Sequence, residues 1–243
     1  MAKKLLHNQK NKLLNQRYEV KMIFSENQMQ YFYDWMYRFT SAYAPYPSRY
    51  VNSIYFDDLN YSSVRDNLSG ISNRKKYRIR YYNNLDLSNN EPMNFEIKYK
   101  VGRVGYKSVH KINNRELYKT EICYSDLQSM VLNSLDFSKD DAPESMAGYI
   151  IPTLKVTYNR LYFETINGIR ITIDNMINYK LPSQTALVSE HADDAYPNTV
   201  VELKFDLDKK DEVARLLCKS SFTPKRHSKY LIGLSMYKQL IYY

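Results

Sequence analysis

The sequence predicts an α+β fold: an antiparallel β-tunnel, a closed barrel with a polar and basic interior, with helices flanking it. Three observations predict it. Residues 74–82 alternate in type, and side chains two apart on a strand share a face. Arg74, Lys76, Arg78 and Arg80 therefore line one side, and Tyr77, Ile79 and Tyr81 the other. The same alternation recurs on at least five strands in all, with an arginine and lysine excess on the polar faces. Finally, no linker, repeat or low-complexity stretch divides the chain. A solvated sheet also alternates, but it scatters its charges among Thr, Ser and Gln. A row of like charges costs up to about 4 kcal/mol per pair at an effective dielectric near 20, so it lies in open water or faces an anion. Its recurrence favours polar faces turned inward around a hydrated cavity.

The elements follow in order. Residues 1–15 read as a polar lead-in, and residues 16–243 as one domain. In the first strand, 16–24, Arg17, Glu19 and Lys21 alternate with Tyr18, Val20 and Met22. Ser25 to Gln28 has the form of a capping box and opens a helix with Met29, Phe32, Tyr33, Met36 and Phe39 at helical spacing. Pro45 and Pro47 end that unit. A strand over 51–56 precedes a polar segment with Asp57, Asp58 and Tyr61. The cationic strand 74–82 turns through a polar loop, 83–92, into strand 94–101, where Glu96, Lys98 and Lys100 oppose Phe95, Ile97 and Tyr99. Gly102 and Gly105 lead into a short strand, 106–112.

Ser125 to Gln128 opens a second helix carrying Leu127, Met130 and Val131, and 140–143 is loop. Strands 153–163 and 168–174 flank Asn167-Gly168, a strong hairpin signal. Arg170, Thr172 and Asp174 share one face there. Strand 199–206 sets Glu202 and Lys204 against Val201, Leu203 and Phe205, and a helix runs over 208–219. A last helix starts at Ser228 with Leu231, Leu234, Tyr237 and Leu240 or Ile241 inward.

The formal charge of +9 implies an acidic partner: nucleic acid, anionic membrane or a phosphate-rich small molecule. The 14% aromatic content, mostly 25 tyrosines, argues against disorder. Cys123 and Cys218 are the only cysteines; they exclude a zinc knuckle, give no disulfide framework and read as packing residues. No segment approaches the roughly 20 apolar residues of a membrane span, and the first residues are too short in apolar run for a signal peptide. The expected location is cytoplasmic.

With six glycines and no glycine-rich phosphate loop, any phosphate must be held by side-chain cations. Arginine binds phosphate oxygens bidentately, and lysine supplies a mobile point charge. Glu202 among such strands reads two ways, as a holder of Mg²⁺ or Mn²⁺ beside a phosphate or as the partner of Lys204 or an arginine. Glu19 and Glu96 read as ion-pair partners, and Asp174 as the group that orients Arg170. His7, His110, His191 and His227 read as solvent-facing or structural. Tyr158 shares its face with Arg160 and reaches toward the same ligand.

The ordered set Tyr18-Glu19-Val20-Lys21, Tyr55-Phe56-Asp57, Tyr77-Arg78-Ile79-Arg80-Tyr81, Phe95-Glu96-Ile97-Lys98, Tyr158-Asn159-Arg160, residues 169–174, Val201-Glu202-Leu203-Lys204 and Ser228-Lys229-Tyr230 resembles the VTC domain. That is the catalytic domain of polyphosphate polymerases, a branch of the triphosphate tunnel metalloenzymes related to CYTH proteins. The resemblance spans about residues 17–235. It implies transfer of the ATP γ-phosphate onto inorganic polyphosphate, with ADP released and Mn²⁺ or Mg²⁺ required. It implies that Arg78, Arg80, Lys98, Arg160 and Lys229 are catalytic, that Lys21, Lys107, Tyr158, Arg170, Lys204, Arg226 and Ser228 bind substrate, and that Glu202 holds the metal. The chain resembles a stand-alone, prokaryotic-type form that works beside a separate membrane partner.

Two departures mark this chain. Lys107-Ser108-Val109-His110-Lys111 lacks the arginine that commonly follows the hairpin lysine. Arg17 stands where tunnel hydrolases carry the first glutamate of E-x-E-x-K, which favours a polymerase over a triphosphatase. A non-catalytic binder of nucleic acid or polyphosphate would present exposed cations with stacking aromatics. Here the aromatics lie mainly opposite the cations, so no nucleic acid is expected.

Overall fold

The computed structural model of the chain describes residues 17–82, 93–102, 104–112, 123–134, 150–183 and 191–237. The lead-in, the loops at 83–92 and 140–143 and residues 240–241 fall outside that set. Alternation decides the strands: β1 (Arg17–Ser25), β2 (Arg49–Asp57), β3 (Asn73–Tyr82), β4 (Met93–Val101), β5 (Val104–Ile112), β6 (Ile151–Glu164), β7 (Arg170–Lys180), β8 (Asp194–Ala195) and β9 (Asn198–Asp206). They form one nine-stranded sheet in the order β1-β9-β7-β6-β2-β3-β4-β5, with β8 on β7. All described pairings are antiparallel.

The ladder ends at β1 and β5, so the tunnel is a curled half-barrel. Side chains span the opening: Lys98 of β4 lies 3.8 Å from Glu19 of β1. The face away from the cations carries two apolar clusters. Tyr77, Ile79, Tyr81, Phe95 and Ile97 pack under α3 (Tyr124–Ser134) through Leu127 and Val131. Met22, Phe24, Ile171, Ile173, Val201 and Leu203 pack under α1 (Glu26–Thr40) through Phe32, Trp35 and Met36, and under α4 (Lys210–Leu217) through Val213. Each side chain buried completely contributes about 1.5–3 kcal/mol, so these clusters hold the sheet's curl.

Local chemistry sets the ends of the elements. Gln28 accepts the Ser25 N–H at 3.0 Å, the expected capping contact. Gly168 takes φ +75° in the β6–β7 turn, a left-handed conformation open to glycine without steric cost. The polar segment after β2 carries a helix that the sequence pattern hid, α2 (Ser62–Leu68). The Asp58 carboxylate accepts the N–H groups of Asn60 and Ser62 at 2.9 and 3.0 Å, and Asp57 accepts that of Ser63 at 3.0 Å. These contacts satisfy the orphan donors of a helix too short to show a periodic apolar face. The helix expected over 208–219 starts as a 3₁₀ turn, Leu207–Lys209, and ends at Leu217. Cys218 is exposed beyond it and Cys123 only partly buried, so Cys218 is not a packing residue.

The final helix, α5 (Lys229–Met236), is seated against the sheet on the cation-bearing face. Its Ser228 cap accepts the Leu231 N–H. Tyr230, not Leu231, is the deep anchor: its ring stacks on Tyr55 at 4.8 Å, and its hydroxyl meets Asp57 at 3.0 Å and Thr153 at 2.9 Å. Gly233 lets the helix approach closely, because a β-carbon there would lie 2.5 Å from both Leu154 and Tyr179.

Candidate functional site

Strand register places opposite charges side by side on the concave face. On β3 and β4, Arg78 stands directly across from Glu96. The Glu96 carboxylate accepts two hydrogen bonds from Arg78, at 2.8 and 2.5 Å, and one from Lys107 of β5 at 2.8 Å, with Arg80 at 3.9 Å. Burial pushes the Glu96 carboxyl up, but Arg78, Arg80 and Lys107 overcome that and hold it at about 2.

The second centre joins β6, β7 and α5. Arg160 faces Asp174 across the ladder and grips it bidentately at 2.6 and 2.7 Å, while Lys229 reaches the same carboxylate at 2.6 Å. Asp174 is fully buried, yet the two cations hold its carboxyl at about 2. It orients Arg160 and Lys229, not Arg170 as the sequence reading expected, because Arg170 lies four residues back along β7, in register with Glu164 and Lys204. Tyr158 links the first two centres. Its hydroxyl accepts from Arg80 at 3.1 Å, and Arg160 and Lys229 lie over its ring at 5.2 and 4.6 Å. Burial opposes ionisation of this phenol, but Arg160 and Arg80 prevail and lower its pKa below the ordinary value.

The third centre lies on β1 and β9, where Lys21 faces Glu202 and Glu19 faces Lys204. Glu19 pairs with Lys21 at 2.7 Å, Lys204 with Glu202 at 3.2 Å, and the carboxyl groups of Glu19 and Glu202 meet. Burial raises the Glu19 pKa, but the charges of Lys21, Lys98 and Lys204 pull it well below the usual carboxylate range. The Lys21 ammonium also donates to the His227 carbonyl at 3.2 Å. His227 itself is buried, and burial with Lys229 and Lys21 nearby drops its imidazole to about 3, so it is neutral.

The structure therefore gathers Lys21, Arg78, Arg80, Lys98, Lys107, Tyr158, Arg160, Glu202, Lys204, Ser228 and Lys229 around one concavity. Arg170 lies beside Lys204 on the same face, in ladder register. Arg226 is exposed on the segment before α5 and makes no ion pair or hydrogen bond with the cluster. Two residues gain parts that sequence reasoning left open. Glu19, read as a simple ion-pair partner, touches Glu202; the matched spacings Glu19-x-Lys21 and Glu202-x-Lys204 on neighbouring strands carried that signal. Lys76, a member of the cation row with no assigned part, donates to the Ser228 hydroxyl at 3.1 Å.

Paired carboxylates ringed by cations form a donor set suited to a hard divalent ion. Magnesium and manganese are commonly held by one or two protein carboxylates, with phosphate oxygens and water completing the shell. No group of three or more His, Cys, Asp or Glu comes together among the described residues, so Glu19 and Glu202 fit that pattern only with substrate phosphates supplying further ligands.

Comparison with known proteins agrees with this geometry. The sequence profile of the VTC domain matches residues 2–238. No curated protein matches the chain. Among solved structures, the Hippeastrum protein HpAC1, a candidate adenylyl cyclase described as having a dominant triphosphatase activity, superposes with a TM-score of 0.55 at 13% identity, covering 91% of this chain and 96% of that one. A candidate adenylate cyclase from Bacillus halodurans gives 0.51 at 10% identity, over 86% of this chain and 92% of that one. At such identities the likeness is one of fold.

Proposed function

The chain belongs to the VTC domain family, and from that premise we propose that it is a polyphosphate polymerase, moving the γ-phosphate of ATP onto a growing polyphosphate chain and releasing ADP. The observation that carries this reading is the concave face itself, where lysines and arginines from β1, β3, β4, β5, β6, β9 and α5 converge. Phosphoryl transfer asks little covalent help from a protein. It asks for neutralised charge and reactants held in line. Glu96 and Asp174 grip Arg78 and Arg160, Arg80 donates to the Tyr158 hydroxyl, and the three present guanidinium groups to phosphate oxygens. Lys21, Lys98, Lys107, Lys204 and Lys229 supply point charges, and Ser228 and Tyr158 supply hydroxyls. Arg170 and Arg226 extend the set toward its edges.

Glu202, with Glu19, would hold Mn²⁺ or Mg²⁺ beside the phosphates. The ion's contribution when bound is to neutralise charge on the transferred group and its leaving oxygens. Glu96 and Asp174 are each gripped by two cations and do not serve as bases toward water, which supports an acceptor phosphate acting as its own nucleophile.

The test is incubation with ATP and Mn²⁺, with products resolved by gel and phosphorus NMR. ADP with a long phosphate polymer is the expected result. Inorganic phosphate without polymer would replace the reading with a triphosphatase, and tight triphosphate binding without turnover would leave a polyphosphate-binding module.

A further inference from the structure

Lys76, Lys98 and Lys107 stand directly across from one another on β3, β4 and β5, on one face of the sheet. Neighbours so placed sit about 5 Å apart at their β-carbons, and like charges there destabilise the sheet. Lys98 and Lys107 have relief in Glu19 and Glu96. So do Lys21, Lys204 and Lys229, in Glu19, Glu202 and Asp174. Lys76 has none: among the described residues no carboxylate lies within ion-pair distance, and its one polar contact is the Ser228 hydroxyl at 3.1 Å. That hydroxyl is already the cap of α5, accepting the Leu231 N–H.

We propose that Lys76 is a further phosphate-binding residue of the tunnel, working with Ser228, and that it joins the complex by taking up a proton. The proposal rests on the triphosphate reading above and adds to it a residue and a proton. The groups facing the Lys76 amine are Lys98 from β4, Lys21 from β1, Arg74 along β3, Asp57 from β2 and Ser228 before α5. Only Asp57 favours its charge. Burial first, then Lys98, Lys21 and Arg74, bring the amine down to about 7, so near-neutral solutions hold both forms. A phosphoryl group arriving beside Ser228 supplies the anion that the fold omits, and the amine then charges with a proton from solvent. Lysine rather than arginine at this position allows the empty tunnel to shed one positive charge.

The experiment is calorimetric titration of inorganic triphosphate, without metal, in two buffers of different ionisation enthalpy, on the wild type, Lys76→Arg and Lys76→Met. An amine at about 7 is nine-tenths neutral at pH 8, so the wild type should absorb about one proton more per triphosphate than Lys76→Arg. Between pH 7.5 and 8.5 its affinity should fall about eightfold relative to that variant. Lys76→Arg should keep binding, and Lys76→Met should lose at least tenfold in affinity and the extra proton together. Wild-type affinity and proton number in both variants would overturn the proposal and make Lys76 a tether for α5. Absence of triphosphate binding by the wild type would overturn the tunnel reading itself, whatever the variants do.

Discussion

Asp174→Asn tests whether the tunnel's cations are held in place by carboxylates that stand in for a polyanion. The side chain of Asp174 is 1% exposed and is contacted by Arg160 at 2.6 Å and Lys229 at 2.6 Å. Its carboxyl falls from 3.8 to about 2 on folding, which corresponds to roughly 2 kcal/mol of stability at neutral pH. A depressed carboxyl stabilises above its unfolded value, so this share is complete above about pH 4 and lost as pH falls through about 2. Asparagine keeps the shape and removes the charge, leaving two cations facing each other. Removing one member of a buried ion pair costs roughly 3–5 kcal/mol, and a domain of this size loses about 2–4 °C of melting temperature per kcal/mol. The expected drop is therefore about 6–20 °C. Scanning calorimetry at pH 7, with and without inorganic triphosphate, reads it. Ligand at 100 times its Kd adds about 2.7 kcal/mol to any protein that binds it only when folded; at equal ligand the variant should gain more than the wild type if the anion replaces the lost carboxylate. A variant melting within about 2 °C of the wild type would refute the reasoning, since such a loss lies far below the cost of a broken buried pair.

Two further predictions concern the metal and α5. Glu202→Gln keeps the hydrogen-bonding shape but removes a charge beside Lys204 at 3.2 Å, and it should abolish the dependence of turnover on Mn²⁺ or Mg²⁺; normal turnover with an unchanged metal titration sinks the assignment. Gly233→Ala gains about 1 kcal/mol of helix propensity but drives a β-carbon to 2.5 Å from Leu154 and Tyr179, both fully buried. Overpacking of that kind costs about 1–3 kcal/mol, so thermal melting should show net destabilisation with weaker triphosphate binding, and an unaltered melt with unaltered binding would mean that α5 is free to shift.

The concave cation row was legible because a strand's period of two cannot hide it: Arg78 and Arg80 alternate with Tyr77 and Ile79, and burial follows that alternation. The Asn167-Gly168 turn and the Ser25 and Ser228 caps were legible because backbone geometry demands those residue types. Register was not. Whether Asp174 serves Arg160 or Arg170 depends on which residue of β6 faces it, and the bulge between Thr157 and Asn159 shifts that register. The contact between Glu19 and Glu202 likewise depends on β1 pairing with β9, a crossover between the two ends of the chain. The helix α2 was hidden because its order comes from the Asp57 and Asp58 carboxylates binding backbone donors, not from an apolar stripe.

The same facts bear on why the site is neither filled with counter-ions nor bare of them. A concavity in which every cation met its own carboxylate would have no affinity left for a phosphate chain. One without carboxylates would repel itself apart, at up to about 4 kcal/mol per close pair. This chain lies between those limits. Glu96 and Asp174 each fix two or more cations with geometry good enough to hold the guanidinium planes still, while Lys76 is left unanswered and Lys98 keeps only a 3.8 Å contact with Glu19. Burial and its cationic neighbours lower the Lys98 pKa as well, even with Glu19 and Glu202 pulling the other way. The poorly compensated charges lie together on β3 and β4, next to Arg78 and Arg80 and across the opening from the paired carboxylates of Glu19 and Glu202. A linear polyanion threaded there would meet its strongest unmet attraction beside the groups best suited to hold a divalent ion, which is the juxtaposition that phosphoryl transfer requires.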